Sequence, residues 1–284
     1  GFQPRQVEQT VNRWLIGKVS ETAQRISTAL ETYKFNEAAS AIYQFTWGSF
    51  CDWYLEFAKP IFNGADEAAK AETRATAAWA LDQILIMLHP FMPFITEELW
   101  AKLGENRETS LIGAFWPHYD FVPDKNADAE MDWVVRLVSE IRAVRAELNV
   151  APGARLRSIV RGAGPVTEQR LAAHGDIVQT LARLESITLA GDETIAGAVQ
   201  VVVEEATVLL SLAGIIDIAQ EQARLTKERT KLEGEVAKLD KKLANDAFIA
   251  KADPEVVQEH RDRRDEYALA RTKLDEALER LKAL

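Results

Sequence analysis

The chain has 284 residues, of which 47% are hydrophobic and 27% charged, a balance typical of a globular protein with two or three domains. No apolar run reaches the ~18 residues of a membrane helix, and no signal-peptide pattern is present, so we expect a cytoplasmic protein without a membrane partner. A single cysteine excludes an internal disulfide and a cysteine-based zinc site. The net charge of −10 argues against indiscriminate nucleic-acid binding.

Residues 1–126 have the periodicity of an antiparallel helix bundle with short connections. The patterns predict helices over residues 6–32, 36–59 and 65–89. Proline ends or kinks helices, so we place one helix end at Pro60 and a kink and restart at Pro90 and Pro93.

Residues 127–214 predict a linking helix and a small α+β domain. The helix covers about Ala127–Asn149 and ends at the sequence APG, residues 151–153. The short β-branched runs RLRSIV, SITLA, VQVVV and TVLLSL indicate about four strands, with a helix over Val166–Leu184 between the first two. We predict a hairpin turn at Glu204 and Glu205.

Residues 215–284 carry heptads on both sides of the break DAFIAKADP. This pattern predicts an antiparallel coiled-coil hairpin, here called the arm. Aligning the leucines places Arg229 opposite Arg271 in the seam, where the charged heads should turn outward to Glu228, Glu233 or a ligand phosphate. Phe248 at the tip either closes the hairpin end, which we favour, or stacks on a nucleic-acid base pair.

The stretch FTWGSFCDWYLE (residues 45–56) contains five aromatic residues and the only cysteine, Cys51. At about 100° per residue, one helical stripe holds most of these rings, so we interpret it as core-facing. The stripe comprises Tyr43, Trp47, Phe50, Tyr54 and Phe57. Phe45 and Trp53 fall at its edges, where they could stack on bases. We interpret Cys51 as a buried, inert thiol and His89 as a structural residue.

Several long motifs resemble one protein family in order along the chain. HPFMPFITEELW (residues 89–100) is similar to the bundle motif of class I aminoacyl-tRNA synthetases. QFTWGSFCDWYLEFAKP, IRAVRAELNVAPGARL and TLARLESIT resemble the valyl-tRNA synthetase family, and ARLTKERTKLEGEVAKLDKKLAN resembles its C-terminal arm. The catalytic motifs His-Ile-Gly-His and Lys-Met-Ser-Lys-Ser are absent from the sequence. The resemblance therefore implies the C-terminal, tRNA-binding portion of such an enzyme, inactive in aminoacylation by itself.

This resemblance implies a mainly α fold, made of an anticodon-binding bundle (1–126), a linking helix with a small α+β domain (127–214) and a coiled-coil arm (215–284). It implies that the bundle approaches the anticodon and the arm supports the outer corner of the tRNA. The expected partners are the tRNA for valine and the enzyme's own N-terminal catalytic and editing domains, in a monomer. No cofactor is expected in this portion, while ATP and Mg belong to the full-length enzyme.

We place candidate tRNA contacts on all three regions, because phosphate contacts need basic side chains and unstacked bases need aromatic ones. In the bundle they are Arg13, Lys18, Lys34, Phe45 and Trp53. In the linking helix they are Arg136, Arg142 and Arg145, for which pairing within the helix, for example of Arg145 with Glu140 or Glu147, is an equal alternative. In the arm they are Arg224, Lys227, Arg229, Lys231, Lys238, Lys241, Lys242, Phe248 and Arg271.

Two other interpretations stay open at this point. The chain could be a non-enzymatic scaffold whose coiled coil binds protein, or the tail of the isoleucyl or leucyl enzyme. Isoleucyl enzymes commonly end in a cysteine-rich metal module, which one cysteine cannot form. Binding of purified tRNAs would separate these possibilities.

Overall fold

The computed structural model describes residues 2–104, 107, 109–119, 121–189, 197–250 and 252–282, and the side chains of all of them except Asp246 and Ala247. Ala190, predicted to end the second strand, and Lys251, in the predicted tip, lie outside the described residues. The chain divides into two compact units, residues 1–135 and 136–284.

The first unit is a helix bundle. Its helices are α1 (Thr10–Glu31), α2 (Phe35–Gln44), α3 (Leu55–Asn63), α4 (Glu67–Leu88), α5 (Pro93–Leu103) and the first half of α6 (Lys125–Glu147). The Asp66 carboxylate caps α4 by accepting hydrogen bonds from the backbone N–H groups of Ala68 and Ala69. Pro93 at the start of α5 has a backbone conformation suited to a first helical position.

A π-helical segment, Phe45–Tyr54, joins α2 to α3, so the chain is helical without a break over residues 35–63. The predicted end at Pro60 is therefore wrong, since Pro60 lies inside α3. It is exposed, and water can replace the hydrogen bond that its missing N–H would have made.

The π-helical segment also changes which rings face the core. Phe50, Tyr54 and Phe57 are buried as predicted, but Tyr43 and Trp47 are 66% and 60% exposed. Hydrogen bonds in a π-helix span five residues, so successive side chains turn through a smaller angle than the 100° of an α-helix. The predicted stripe assumed the α-helical angle throughout, and for these two rings it is wrong.

A buried polar network holds α1, α4 and the π-helical segment together. The Tyr54 hydroxyl donates to Asn12 Oδ1 and lies 3.1 Å from the Thr73 carbonyl oxygen. The Asn12 side-chain N–H group donates to Glu72 and to Thr73 Oγ1. Burial and the Glu72 charge both raise the pKa of Tyr54, so its hydroxyl stays protonated at neutral pH. Because every partner is satisfied, this network fixes how the three segments pack.

The second unit contains the four strands that the sequence predicts. They are β1 (Leu156–Arg161), β2 (Leu184–Leu189), β3 (Ala198–Val203) and β4 (Ala206–Ser211), in the sheet order β2-β1-β4-β3. Helix α7 (Pro165–Leu181) connects the parallel pair β1 and β2. The hairpin turn at Glu204 and Glu205 is confirmed between the antiparallel strands β3 and β4.

The arm consists of α8 (Ile218–Leu243), the short α9 (Asp246–Ile249) and α10 (Pro254–Lys282). Ion pairs join Arg229 to Asp275 and Asp240 to Arg264, so the predicted antiparallel arrangement is confirmed. The leucine alignment places Arg271 opposite Arg229, whereas the ion pair joins Arg229 to Asp275, which lies about one helical turn farther along α10. The Asp240–Arg264 pair differs from the alignment by about the same amount.

At the base of the arm, both long helices contact Glu147 at the end of α6. Arg224 on α8 donates to the Glu147 carbonyl oxygen at 3.2 Å, and Arg280 on α10 pairs with the Glu147 carboxylate. These two contacts connect the arm to the α6 end of the same unit. Among the described helices, none is both long enough and apolar enough to cross a membrane.

Candidate nucleic-acid interface

A polar groove runs along the first unit between α1 and the helical chain of α2 and the π-helical segment. It consists of two adjoining cavities of about 650 and 460 Å³, and Arg25 and Ala41 line both. The first is lined mainly by polar side chains, namely Gln24, Thr28, Thr32, Lys34, Asn36, Glu37 and Ser40. The second adds Lys18, Gln44, Phe45 and Trp53. We call this feature the α1–α2 groove.

The charges of the groove divide into paired and unpaired groups. The Lys18 ammonium lies 3.0 Å from Asp132, and the Lys34 ammonium lies 3.0 Å from Glu37. Arg25 is exposed, and the contacts found among the described residues include no ion pair to it. Arg25 was not predicted, although its spacing of seven residues from Lys18 places both on one face of α1.

Arg13, the third predicted cation of the bundle, lies elsewhere. Its guanidinium is 3.1 Å from the Asp124 carboxylate, and it lines a separate cavity beside Pro123 and Phe121. The structure therefore brings Lys18 and Lys34 to the α1–α2 groove and does not bring Arg13 there.

The aromatic rings of the groove differ from the prediction. Phe45 is only 3% exposed, so it belongs to the groove floor and its face is closed to a stacking base. Trp53 is half-buried and packs against Phe57 with ring centroids 5.7 Å apart. Two rings that the sequence assigned to the core, Tyr43 and Trp47, are exposed and nearly parallel, with centroids 6.4 Å apart. Tyr43 and Trp47 are four residues apart, a spacing that places two side chains next to each other on a helix surface, so the sequence could have indicated that these rings stack.

The three arginines of α6 occupy different environments in the second unit. Arg136 lies 3.5 Å from Glu204, and Arg142 Nε donates to the Leu181 carbonyl oxygen at 3.0 Å. Arg145 is 7% exposed and donates to the carbonyl oxygens of Ala151 and Ala154. Burial, with a smaller effect of the Arg183 charge, lowers its pKa.

Arg145 is therefore structural, and we remove it from the candidate interface. Neither of the predicted alternatives describes it, because its partners are backbone carbonyls and not the carboxylates of Glu140 or Glu147. It holds the APG turn against the end of α6, which a sequence pattern of charges alone does not reveal.

One face of α8 carries six of the seven basic side chains of this helix. At about 100° per residue, an arc of ~100° opposite the seam holds six of them and no carboxylate. They are Arg224, Lys227, Lys231, Lys238, Lys241 and Lys242. Three of these have side-chain partners: Arg224 pairs with Glu221 and Glu228, Lys238 with Glu235, and Lys242 with His260. Lys227, Lys231 and Lys241 are exposed, and no hydrogen bond or ion pair was found for them in the described part of the arm.

Arg229 and Arg271 lie in the seam as the heptads predict, but the charged head of Arg229 has a partner other than the predicted one. The Nε atoms of Arg229 and Arg271 are buried and lack hydrogen-bond partners, while the Arg229 head reaches Asp275 at 3.5 Å. The stem of Arg229 thus lies in the seam with its charged head outward. The predicted partner Glu228 pairs with Arg224 instead.

Phe248 closes the end of the hairpin, as favoured from the sequence. Its ring stacks on His260 with centroids 5.7 Å apart, and the Lys242 ammonium lies 4.8 Å from the ring centroid. Both partners belong to the long arm helices, so Phe248 joins the tip to α8 and α10.

Cys51 and His89 have no catalytic geometry. Cys51 is half-buried and not fully buried as expected, and burial together with Asp52 raises the pKa of its thiol, which keeps it protonated. His89 Nδ1 lies 2.8 Å from Thr96 Oγ1, a contact between the end of α4 and the start of α5. The protonated thiol of Cys51 and the His89–Thr96 contact agree with structural roles.

Comparison with known families agrees with a bundle that has a polar groove and an arm that has one basic face. Residues 12–160 match the family described as the anticodon-binding domain of tRNA ligase, and the chain belongs to that family. Residues 217–282 match the valyl tRNA synthetase tRNA binding arm. The second match covers the arm helices α8 and α10 described above.

The chain is also similar to several curated valine–tRNA ligases. It is 52% identical to that of Caulobacter vibrioides over 286 residues, which is 99% of this chain and 31% of the relative. It is 48% identical to that of Mesorhizobium japonicum and 46% identical to that of Agrobacterium fabrum, each over 96% of this chain and 29% of the relative. The chain thus spans about 30% of these relatives and corresponds to their C-terminal portion. These matches support the synthetase interpretation over a coiled-coil scaffold and over an isoleucyl or leucyl tail.

Proposed function

We propose that this chain binds the tRNA for valine and holds it for ATP-dependent attachment of valine by the longer ligase. The observation that carries the proposal is the α1–α2 groove, because it combines Arg25, which has no ion pair among the described residues, with amide and hydroxyl side chains and the half-buried ring of Trp53. Single-stranded RNA loops are recognised by this combination, with hydrogen bonds to base edges and stacking on aromatic faces. An anticodon loop is such a target.

The arm supplies the second part of the proposed interface. Lys227, Lys231 and Lys241 provide positive charge on a face without carboxylates, which suits phosphates and carries no sequence information. The groove would therefore distinguish one tRNA from another, and the arm would add affinity that depends on salt.

The rest of the ligase is the other proposed partner. Phe94 and Phe115 are 91% and 94% exposed, and Leu103 and Ile112, which lie between them in the sequence, are exposed as well. Large apolar side chains exposed over one stretch of chain suit a contact with another protein segment. About 70% of the length of the relatives lies outside this chain, and we propose that part of it covers these exposed side chains. ATP and Mg would bind there, in the catalytic domain, and the whole enzyme would act as a monomer.

A filter-binding titration of the chain with purified tRNAs tests the main proposal. We expect the tRNA for valine to bind more tightly than the tRNAs for isoleucine and leucine at equal salt. Equal affinity for all three tRNAs would show that the chain binds phosphates without distinguishing the tRNAs. An absence of binding would contradict the proposal.

A further inference from the structure

A regular row of lysines on the outer face of α8 has a gap at its centre. The row runs through positions 227, 231, 234, 238 and 241, spaced four, three, four and three residues apart, so the side chains lie along one line. Four of these positions are lysine and the central one is Gly234. At ~1.5 Å per residue the row is about 21 Å long, and the gap between Lys231 and Lys238 is about 10 Å.

Within the part of the chain that the structure describes, no contact explains a glycine at this position. A Cβ atom added to Gly234 would meet nothing within 4 Å, so no neighbouring segment requires the space. Gly234 is not among the glycines with positive φ, so the backbone does not require glycine either. Glycine is among the least favourable residues in a helix interior. The arm therefore carries a destabilising residue in an exposed position where alanine or lysine would fit.

We propose that Gly234 is a contact point at which the sugar–phosphate backbone of bound RNA lies directly against α8. This inference rests on the proposed tRNA binding and adds the position of the contact. Without a side chain, the helix surface at Gly234 admits a close approach by another backbone. Lys231 and Lys238 flank the gap and can reach the phosphates on either side of the contact. Lys238 would then exchange its Glu235 partner, which is exposed, for a phosphate.

The charge of the two arm helices indicates the side from which the RNA approaches. The outer face of α10 presents Asp262, Asp265 and Glu266, all exposed. Arg261, Arg263 and Lys273 are exposed on α10 as well, so this helix presents mixed charge, and a polyanion is attracted more strongly to the row of lysines on α8, whose arc holds no carboxylate. The gap is therefore on the side where the phosphates are expected.

Substitution of the glycine in the full chain tests this contact. We expect Gly234→Ala to raise the melting temperature by roughly 2 °C, because alanine favours the helix, and to weaken binding of the tRNA for valine several-fold. Gly234→Leu should weaken binding further, by about tenfold, because a larger side chain holds the backbone farther from the helix. Thr272→Leu, which adds bulk to an exposed position on α10, is the matched control and should leave the affinity unchanged.

The lysines distinguish failure of this contact from failure of the proposed function. If the unmodified chain binds no tRNA, both are overturned. If it binds, and a triple alanine variant of Lys227, Lys231 and Lys241 weakens binding while both Gly234 variants keep full affinity, the arm binds RNA and the contact at Gly234 is wrong. Circular dichroism of each variant shows whether α8 stays helical, so that a loss of affinity is not a loss of folding.

Discussion

Arg25 lines both cavities of the α1–α2 groove, and we expect it to contact RNA phosphate or a base edge. Replacing it with alanine should weaken binding of the tRNA for valine by about 1–3 kcal/mol if it contacts a base, and lower the salt slope by about one unit if it contacts a phosphate. Filter binding at several salt concentrations separates the two. Arg74→Ala is the control, because Arg74 is exposed on α4 and does not line the groove. If Arg25→Ala and Arg74→Ala lose the same amount of tRNA affinity, the loss is a general effect of removing positive charge and not of a contact in the groove.

Asp128 gives the first unit a dependence on pH. Its Oδ1 atom is buried without a hydrogen-bond partner, and desolvation raises its pKa to about 6, partly opposed by Lys18. The folded state therefore binds this proton more tightly than the unfolded chain, in which the pKa is near 3.8. Its contribution to stability is present at pH 4 and is lost as the pH rises through 6.

Asp128→Asn should remove this dependence. We expect the variant to unfold with a free energy on the order of 1 kcal/mol higher than the original chain at pH 7, and with little difference at pH 4. Thermal melts between pH 4 and 8 measure the difference. A difference that is constant over this range would assign the effect to packing and not to the charge.

Burial decides which residue-level predictions could succeed. The charges of Lys227 and Lys231 could be placed on an exposed face from heptads alone, because the seam fixes the opposite side. Arg145 could not be placed, since the carbonyl groups that hold it come from the turn at Ala151 and Ala154 and become neighbours only in the folded chain.

At the level of elements, the arm seam allows a stability test. Replacing Arg229 and Arg271 together with leucine should raise the free energy of unfolding of the arm by about 1 kcal/mol, because two buried Nε groups without partners give way to apolar contact. Loss of the Arg229–Asp275 pair costs little, since both groups are substantially exposed. If these heads also contact tRNA, affinity should fall in the same variant.

Lys227→Leu combined with Lys273→Leu is the matched control for the seam variant. Both lysines are exposed outside the seam, so the same chemical change should bring no gain in thermal stability. A comparable gain in the control would assign the effect to helix propensity and would remove the argument from the seam.

The secondary structure could be predicted wherever one period holds along an element. The four strands, the arm helices and α7 follow a period of two or of three to four residues. The π-helical segment could not be recognised, because its extra residue per hydrogen-bonded turn leaves no mark on composition. For this reason the sequence predicted Tyr43 and Trp47 in the core, whereas both are exposed.

For the whole molecule, we expect the two units to bind different parts of one tRNA. An isolated anticodon stem-loop RNA should compete with the tRNA for the groove, and Arg25→Ala should weaken its binding. The triple variant of Lys227, Lys231 and Lys241 should leave stem-loop binding unchanged while weakening binding of the whole tRNA. Competition titrations with both RNAs measure this, and a stem-loop that loses affinity in the lysine variant would contradict the division.

Glu147 sets the mechanics of the arm. Both arm helices are fastened to this one residue, α8 through Arg224 to its carbonyl and α10 through Arg280 to its carboxylate. Helix α10 also contacts β3. A helix of 26 residues is about 39 Å long, so the arm is a lever that is held at its base. A slip of a fraction of an ångström at Glu147 becomes a swing of several ångströms at Phe248. Conversely, a force applied at the tip exerts a torque on the base of the arm. Binding near the tip would therefore act on the end of α6.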